Sequence, residues 1–345
     1  MRTNRPALFA ILSIVFFISC KPYSFIDIEV LEPSKVTIPA NISKITFINH
    51  SMFTEEFYQT YDTVPGEKTG DLLNIQKSGS KEVFNGFIEA INTSPRFDTA
   101  NIFYLYLIRN DTANPTSPIA WTILDQICKG KNTEVIVALE FFSGNPSVEL
   151  ETTYRWIDGR SYPWSFISLY FEIKTFWRTY ECFSRKIIDE FLFIDTLIWE
   201  TSESSNLIAM ENLPEEEEAV RYAGILTGKE YVNRITPGWK KVKRKVYISG
   251  NKEMRKVKKQ VYSNNWHAAA RTWNKLAYSA KKNLACKAAF NMALACEMEG
   301  KLDLAVEWAI KSFSTKNKKS TQQYLDIINK RRMDQKKLSQ QFYEK

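Results

Sequence analysis

Val135-Ile136-Val137-Ala138-Leu139-Glu140-Phe141-Phe142 is the stretch on which the fold turns. It is an apolar run of strand length, broken only by Glu140, and such a run suits a strand covered on both faces in the middle of a sheet. Upstream of it, Pro118 can begin a helix whose apolar face is Ile119, Ile123, Leu124 and Ile127, with Gly130 past its end as a left-handed cap. Before that helix comes an aromatic-rich strand, Ile102 to Ile108. Further back, Lys81 to Asn92 carries Phe84, Phe87, Ile88 and Ile91 at helical spacing and is closed by Ser94-Pro95. Lys44-Ile45-Thr46-Phe47-Ile48-Asn49 is the first strong strand and runs into polar His50-Ser51. The order strand, helix, strand, helix, strand predicts an α/β layer with some parallel pairing.

Downstream, the character changes at Gly144-Asn145-Pro146. From Val148 to Glu200 β-branched and aromatic residues dominate, Asp158-Gly159 is a hairpin signal, and Ile167, Leu169, Phe171 and Ile173 alternate with Ser168, Tyr170, Glu172 and Lys174. Antiparallel strands should therefore extend the first sheet. After Leu213 the chain turns helical: Pro214 and the acids Glu215 to Glu218 suit a first helical turn, and Thr236-Pro237 is a second helix-start signal. The Ala-rich segment from Trp266 to Phe313 is the most helical part, and fraying is expected beyond Lys330. The expected fold class is α+β, with an N-terminal α/β layer whose mixed sheet is extended by antiparallel strands, then an all-α region. The expected divisions are residues 1–19 as leader, 20–43 as linker with short strands, 44–205 as α/β domain, 206–330 as helical region and 331–345 as basic tail.

The N-terminus points to a membrane. Arg2 and Arg5 precede an apolar run from Ala7 to Ile18, too short for an anchor helix and suited to a secretory signal. It ends in Phe17-Ile18-Ser19-Cys20, which resembles a bacterial lipobox, with Phe17 where Leu is usual. The resemblance implies cleavage before Cys20 and diacylation of that cysteine. Each buried methylene contributes about 0.8 kcal/mol, so two or three chains hold a protein where one does not. Lys21-Pro22-Tyr23-Ser24 lacks the acidic cluster associated with surface export in Bacteroidetes-type lipoproteins, so a periplasm-facing position is expected.

The 345 residues suggest two domains, and the balance of 47 basic against 39 acidic residues does not by itself imply nucleic acid. Cys128, Cys182, Cys286 and Cys296 show no metal-type spacing, and with only His50 and His267 a zinc site is not expected. Cys286 and Cys296 lie too far apart along one helix to be bridged, and all four read as buried small apolar residues.

Motifs for chemistry are absent: no Gly-rich phosphate loop, no G-x-S-x-G elbow, no H-E-x-x-H. His50 beside Ser51 leaves a strand end, where α/β sheets place active sites, but it reads as a turn. Glu140 and Asp158 are acids with nothing local to mark them; Glu140 reads as a strand-end acid facing water, and His267 as a surface residue. No catalytic residue, metal or cofactor is assigned. The stretch from Trp239 to Lys259 is strongly basic, with Lys240, Lys241, Lys243 and Arg244 as candidates for an anionic partner such as a headgroup or polyanionic glycan rather than nucleic acid. The plainer reading is a solvated helix face with Val242, Val246, Val257 and Val261 buried.

Two resemblances extend this reading. Ala288, Asn291-Met292-Ala293, Gly300-Lys301-Leu302-Asp303-Leu304-Ala305 and Ala309 resemble a tetratricopeptide repeat, with a weaker copy in Trp266, Ala269, Trp273 and Leu276, where Asn264 stands in for the turn Gly. The region from Lys44 to Glu200, with Ser94-Pro95-Arg96-Phe97 after its first helix, is similar to an envelope α/β domain of the TolB amino-terminal and curli-secretion-lipoprotein kind. Through Val30-Leu31-Glu32-Pro33, Val36-Thr37-Ile38-Pro39 and Ile45 to Asn49, with Trp266 to Trp308 further on, the chain after Cys20 resembles uncharacterised Bacteroidetes-type lipoproteins that join such a domain to tetratricopeptide-like helices. This carry-over implies a non-catalytic binding or assembly scaffold of the cell envelope with a protein partner. A glycan- or peptidoglycan-acting enzyme and a subunit of a secretion or pore complex are the alternatives.

Overall fold

A computed structural model describes residues 22–53, 69–97, 102–109 and 117–343. Cys20 and the leader lie outside the described residues. The chain divides into two compact units, one of Met1–Val30 with Lys240–Lys336, the other of Leu31–Trp239 with Lys337–Lys345.

In the second unit, β2 (Ile45–Asn49) is the strand around which the fold is wound, lying parallel to both β3 (Ile102–Tyr106) and β4 (Val135–Ile157). β5 (Arg160–Glu181) and β6 (Lys186–Glu203) continue the sheet antiparallel, giving the order β3-β2-β4-β5-β6. The expected mixed sheet with an antiparallel extension is what forms. Because side chains alternate across a strand, Phe47, Val135, Val137 and Leu139 pack on one face and Ile48, Ile136 and Ala138 on the other. Helices α1 (Thr69–Thr93) and α4 (Glu216–Ile235) supply the first cover, and α2 (Trp121–Lys131) supplies the second. Full burial on both faces is why β2 and the start of β4 carry no apolar–polar alternation.

Helices α1 and α4 touch backbone to backbone. A Cβ on Gly86 would lie 2.1 Å from the Ile225 carbonyl oxygen, and one on Gly228 would lie 2.1 Å from that of Val83. This packing, with the short α3 (Asn206–Glu211) against β5 and β6, corrects the expected boundary at residue 205. The helices from 206 to 235 belong to the sheet's unit, and the division falls at Trp239/Lys240. They look separate in sequence only because their apolar face is completed by the sheet.

β4 and β5 run past their neighbours. β6 ends opposite Ser165, and beyond that pair β4 and β5 form a two-stranded arm closed by Asp158-Gly159, both with positive φ as a two-residue hairpin turn needs. Cys128, near the end of α2, is disulfide-bonded to Cys182, just past β5. This corrects the reading of both as unpaired apolar residues; Cys286 and Cys296 are free and buried, as expected.

In the first unit, β1 (Tyr23–Glu32) pairs with β7 (Gly238–Tyr247), and Ile248 N–H donates to Pro22 at the end where β1 starts and β7 stops. Thr236-Pro237 therefore opens a strand, not the expected helix. The rest is helical: α5 (Lys252–Tyr262), α6 (Trp266–Leu276), α7 (Lys282–Met298), α8 (Leu302–Thr315) and α9 (Lys319–Phe342). Ala269, Trp273, Ala288, Ala293, Ala305 and Ala309 are all buried together, and the turns before α6 and α8 use Asn264 and Gly300 at positive φ. The expected fraying beyond Lys330 is corrected, because α9 continues to Phe342. Its last turn is held in the second unit by Gln341, whose amide donates to the Ser34 carbonyl (3.2 Å) and accepts from the Ser34 N–H (3.1 Å).

Candidate functional site

Two of the polar candidates from the sequence, His50 and Glu140, meet at the C-terminal ends of the parallel strands. β2 ends at Asn49, and the His50 N–H continues the ladder by donating to the Leu139 carbonyl of β4. The pairing of β4 with β5 shifts between Leu139 and Phe141, so Glu140 is the extra residue of a bulge, which re-aims its side chain. Past β3, Arg109 N–H donates to the Met52 carbonyl, which brings that guanidinium to the same point. β2 and β4 are neighbours whose connections leave in opposite directions, and the crevice between such strands is where open α/β sheets bind ligands.

Glu140 is 0 % exposed, which corrects the expectation of an acid facing water. The physical demand is severe, because an unpaired buried carboxylate costs several kcal/mol. Its oxygens are committed. Oε1 accepts from the Tyr180 hydroxyl (2.5 Å) and lies 3.6 Å from Arg178 Nη1; Oε2 accepts from Arg109 Nη2 and faces His50 Nδ1 at 2.8 Å. Arg109 can only donate and a carboxylate only accept, so His50 Nδ1 carries a proton toward Glu140. The 3.0 Å approach of Arg109 Nη2 to that nitrogen is then a contact between two donors. Arg109 is 2 % exposed and also donates to the Ser117 carbonyl.

Burial lowers the pKa of the Arg109 guanidinium, and Glu140 opposes that shift. Burial first, then the neighbouring carboxylate, pushes the Tyr180 phenol far above its ordinary range, so it remains a donor to Glu140. Arg178 is held by Glu190 at 2.7 Å. Ser51 does not join the cluster: its hydroxyl donates to Asn49 Oδ1 at 2.7 Å. Asp158 sits in the hairpin turn at the far end of β4, and His267 is exposed beside Glu299, as expected of a surface residue.

Arg109, Arg178 and Tyr180 escaped the sequence reading. One signal was present: an acid inside an apolar strand must find donors, and Arg178 and Tyr180 stand two apart in a strand-like run. The arrangement is a closed charge network. A general acid or base needs a free oxygen facing a reactant, and Glu140 has none.

The basic stretch divides between β7 and α5. Lys240, Lys241 and Lys243 are exposed, but Arg244 is buried and grips Glu297 through Nε (3.1 Å) and Nη2 (3.0 Å). Glu297 also accepts from Tyr324 (2.6 Å) and Arg331 (2.8 Å). Arg244 is therefore a structural residue, which corrects its assignment to an anionic partner. Val246, Val257 and Val261 are buried as expected, and Val242 only half so.

Residues 42–247, more than half of the chain, match the family described as a domain of unknown function, DUF8603, and the chain belongs to that family. Residues 255–342 match a second domain of unknown function, DUF6340. No curated protein matches the chain. Among solved structures, a PelC dodecamer from Paraburkholderia phytofirmans aligns at 10% identity and TM-score 0.23, covering 61% of this chain and 98% of that one. A neuraminyllactose-binding hemagglutinin homolog from Helicobacter pylori aligns at 13% identity and TM-score 0.24, covering 66% and 94%. The hypothetical protein CT253 from Chlamydia trachomatis aligns at 13% identity and TM-score 0.20, covering 56% and 95%.

Proposed function

We propose that this chain is a cell-envelope lipoprotein, tethered through Cys20, that acts as a non-catalytic binding or assembly scaffold. The observation that carries the binding part is the arm at the end of β4 and β5. Along one face of β4, Val148 and Leu150 lead up to the arm and Tyr154 and Trp156 stand on it, in alternation with Glu149, Glu151 and Arg155, and this apolar row is exposed, Tyr154 at 68 % and Trp156 at 75 %. Alternation of this kind marks a ribbon with one face made for cover, and large exposed aromatics are the residues that anchor protein interfaces. The sealed Glu140 network speaks against catalysis at the strand ends. The anchor rests on the lipobox resemblance, and among the described residues no helix is long and apolar enough to cross a membrane.

Complementation of a deletion strain tests the proposal. Tyr154→Ala with Trp156→Ala should abolish function and partner capture in a protein that stays folded and acylated, while Ser51→Ala and Asp158→Asn leave function intact. Loss of function from His50→Ala, with the protein still folded and acylated, would overturn the scaffold in favour of an enzyme.

A further inference from the structure

Three lysines converge on one ring in the first unit. Lys318 Nζ lies 4.9 Å, Lys245 Nζ 5.0 Å and Lys287 Nζ 5.7 Å from the centroid of Tyr247. They come from separate elements: β7, α7 and the turn before α9. Among the described residues none of the three is in an ion pair, whereas Arg244, the residue before Lys245, is paired to Glu297.

Lysine ammoniums repel one another, and one ring face satisfies one cation. Burial and then the charge of Lys318 lower the pKa of Lys287, the sign of like charges held close. The groups beside them suit an oxyanion. The Tyr247 and Ser320 hydroxyls are 3.3 Å apart, and Ser320 lies in the first turn of α9.

The cluster also lies beside Pro22 and Tyr23, the first of the described residues. Lys245 Nζ lies 4.0 Å from the Tyr23 ring centroid. Lys287 Nζ donates to the Ser249 carbonyl (3.0 Å), and the Ser249 hydroxyl donates to the Pro22 carbonyl (3.2 Å). Pro22 is two residues from Cys20, and two residues span at most about 7 Å. An acylated Cys20 would hold this end of β7 against the headgroup layer.

We propose that Lys245, Lys287 and Lys318, with the Tyr247 and Ser320 hydroxyls, form a site for the phosphoryl group of an anionic phospholipid headgroup beside the lipid anchor. The site rests on the lipoprotein reading for its ligand, and on the lysine geometry for its chemistry. Lysine binds phosphate as a point charge, so several lysines around one point suit a compact, multiply charged group. Lys241 and Lys243 lie toward the other end of β7. At about 3.3 Å per residue, Lys241 is roughly 20 Å from Tyr247, beyond two Debye lengths at physiological salt.

The test is flotation of the polypeptide from Lys21 on, which holds every residue whose contacts are given above. It is mixed with vesicles of phosphatidylethanolamine and phosphatidylglycerol, or of phosphatidylcholine alone. Binding should require phosphatidylglycerol and should fall roughly a hundredfold when Lys245, Lys287 and Lys318 are all changed to Gln. Changing Lys240, Lys241 and Lys243 to Gln removes the same charge and should leave most of the binding. Equal loss in both triple variants would overturn the site in favour of diffuse surface charge. Equal binding to phosphatidylcholine vesicles would overturn the headgroup assignment, as would protection of the protein by inorganic phosphate without vesicle binding. Acyl labelling of the full chain is scored separately. A chain that takes no label yet shows the vesicle result refutes the anchor and keeps the site; a labelled chain without the vesicle result does the reverse.

Discussion

Glu140→Gln keeps the volume of a fully buried side chain and removes its charge, which makes it the cleanest probe of the network. The wild-type carboxylate faces Arg109, 2 % exposed, and stands 3.6 Å from the largely buried Arg178. The amide has one acceptor oxygen, while Arg109, Tyr180 and His50 all bring donors to this point. At least one donor is left facing the amide NH2, and Arg109 becomes a buried charge with no counterion among the described residues. Removing one partner of a buried pair costs about 3–5 kcal/mol. Against a typical domain stability of about 5–15 kcal/mol, the variant should still fold and should be easy to distinguish. With a urea slope of about 1–3 kcal/mol per molar, its midpoint should drop by at least about 1 M. The assay is urea unfolding followed by near-ultraviolet circular dichroism, which reports the second unit through Trp177 stacked on Tyr231 at 4.3 Å. The apolar pair Glu140→Leu with Arg109→Met should lose less than Glu140→Gln alone, because it leaves no unpaired charge between those two positions. A wild-type midpoint for Glu140→Gln refutes the reasoning and returns Glu140 to the pool of catalytic candidates.

Three further outcomes follow from the packing and the charges. Gly228→Ala places a Cβ 2.1 Å from the Val83 carbonyl oxygen, so α4 must move off α1; overpacking of this kind costs typically about 1–3 kcal/mol, and an unchanged melting temperature would contradict the close approach. Reduction of Cys128–Cys182 opens a loop with a sequence separation of 54 and should lower stability by up to about 4 kcal/mol in the chain-entropy account, read as a lower urea midpoint in reductant. Burial raises the Glu297 pKa, but Arg244, Tyr324 and Arg331 outweigh it and the net shift is downward. A depressed carboxylate adds stability above its unfolded pKa and loses it as pH falls through the folded value. The helical unit should therefore weaken below the ordinary glutamate range, and Glu297→Gln should flatten that acid limb; an unchanged limb would exclude Glu297 as its source.

The sheet was legible in the sequence because its signals are local. The apolar runs at Ile45 and Val135, the helical spacing of Phe84, Phe87, Ile88 and Ile91, and the Asp158-Gly159 turn each need only a few neighbouring residues to be read. What stayed hidden depends on partners distant in sequence. Arg244 reads as one more cation until Glu297 is beside it, 53 residues on. Cys128 and Cys182 have no revealing spacing, and only the return of β5 alongside the end of α2 joins them. Glu140 was visible as an oddity in an apolar strand, yet its three donors come from β3's extension, β5 and the end of β2, so nothing local announces them. Thr236-Pro237 misleads for a related reason: Pro suits a strand edge as well as a helix start, and the strand partner of β7 is the N-terminal β1.

The account stands on the tether, and the mass of the mature N-terminal peptide tests it most directly. The protein is purified from its own envelope, digested, and its first peptide measured. A peptide beginning at Cys20 and carrying two or three acyl chains is the predicted result. An unmodified Cys20, or a mature chain beginning elsewhere, would contradict it.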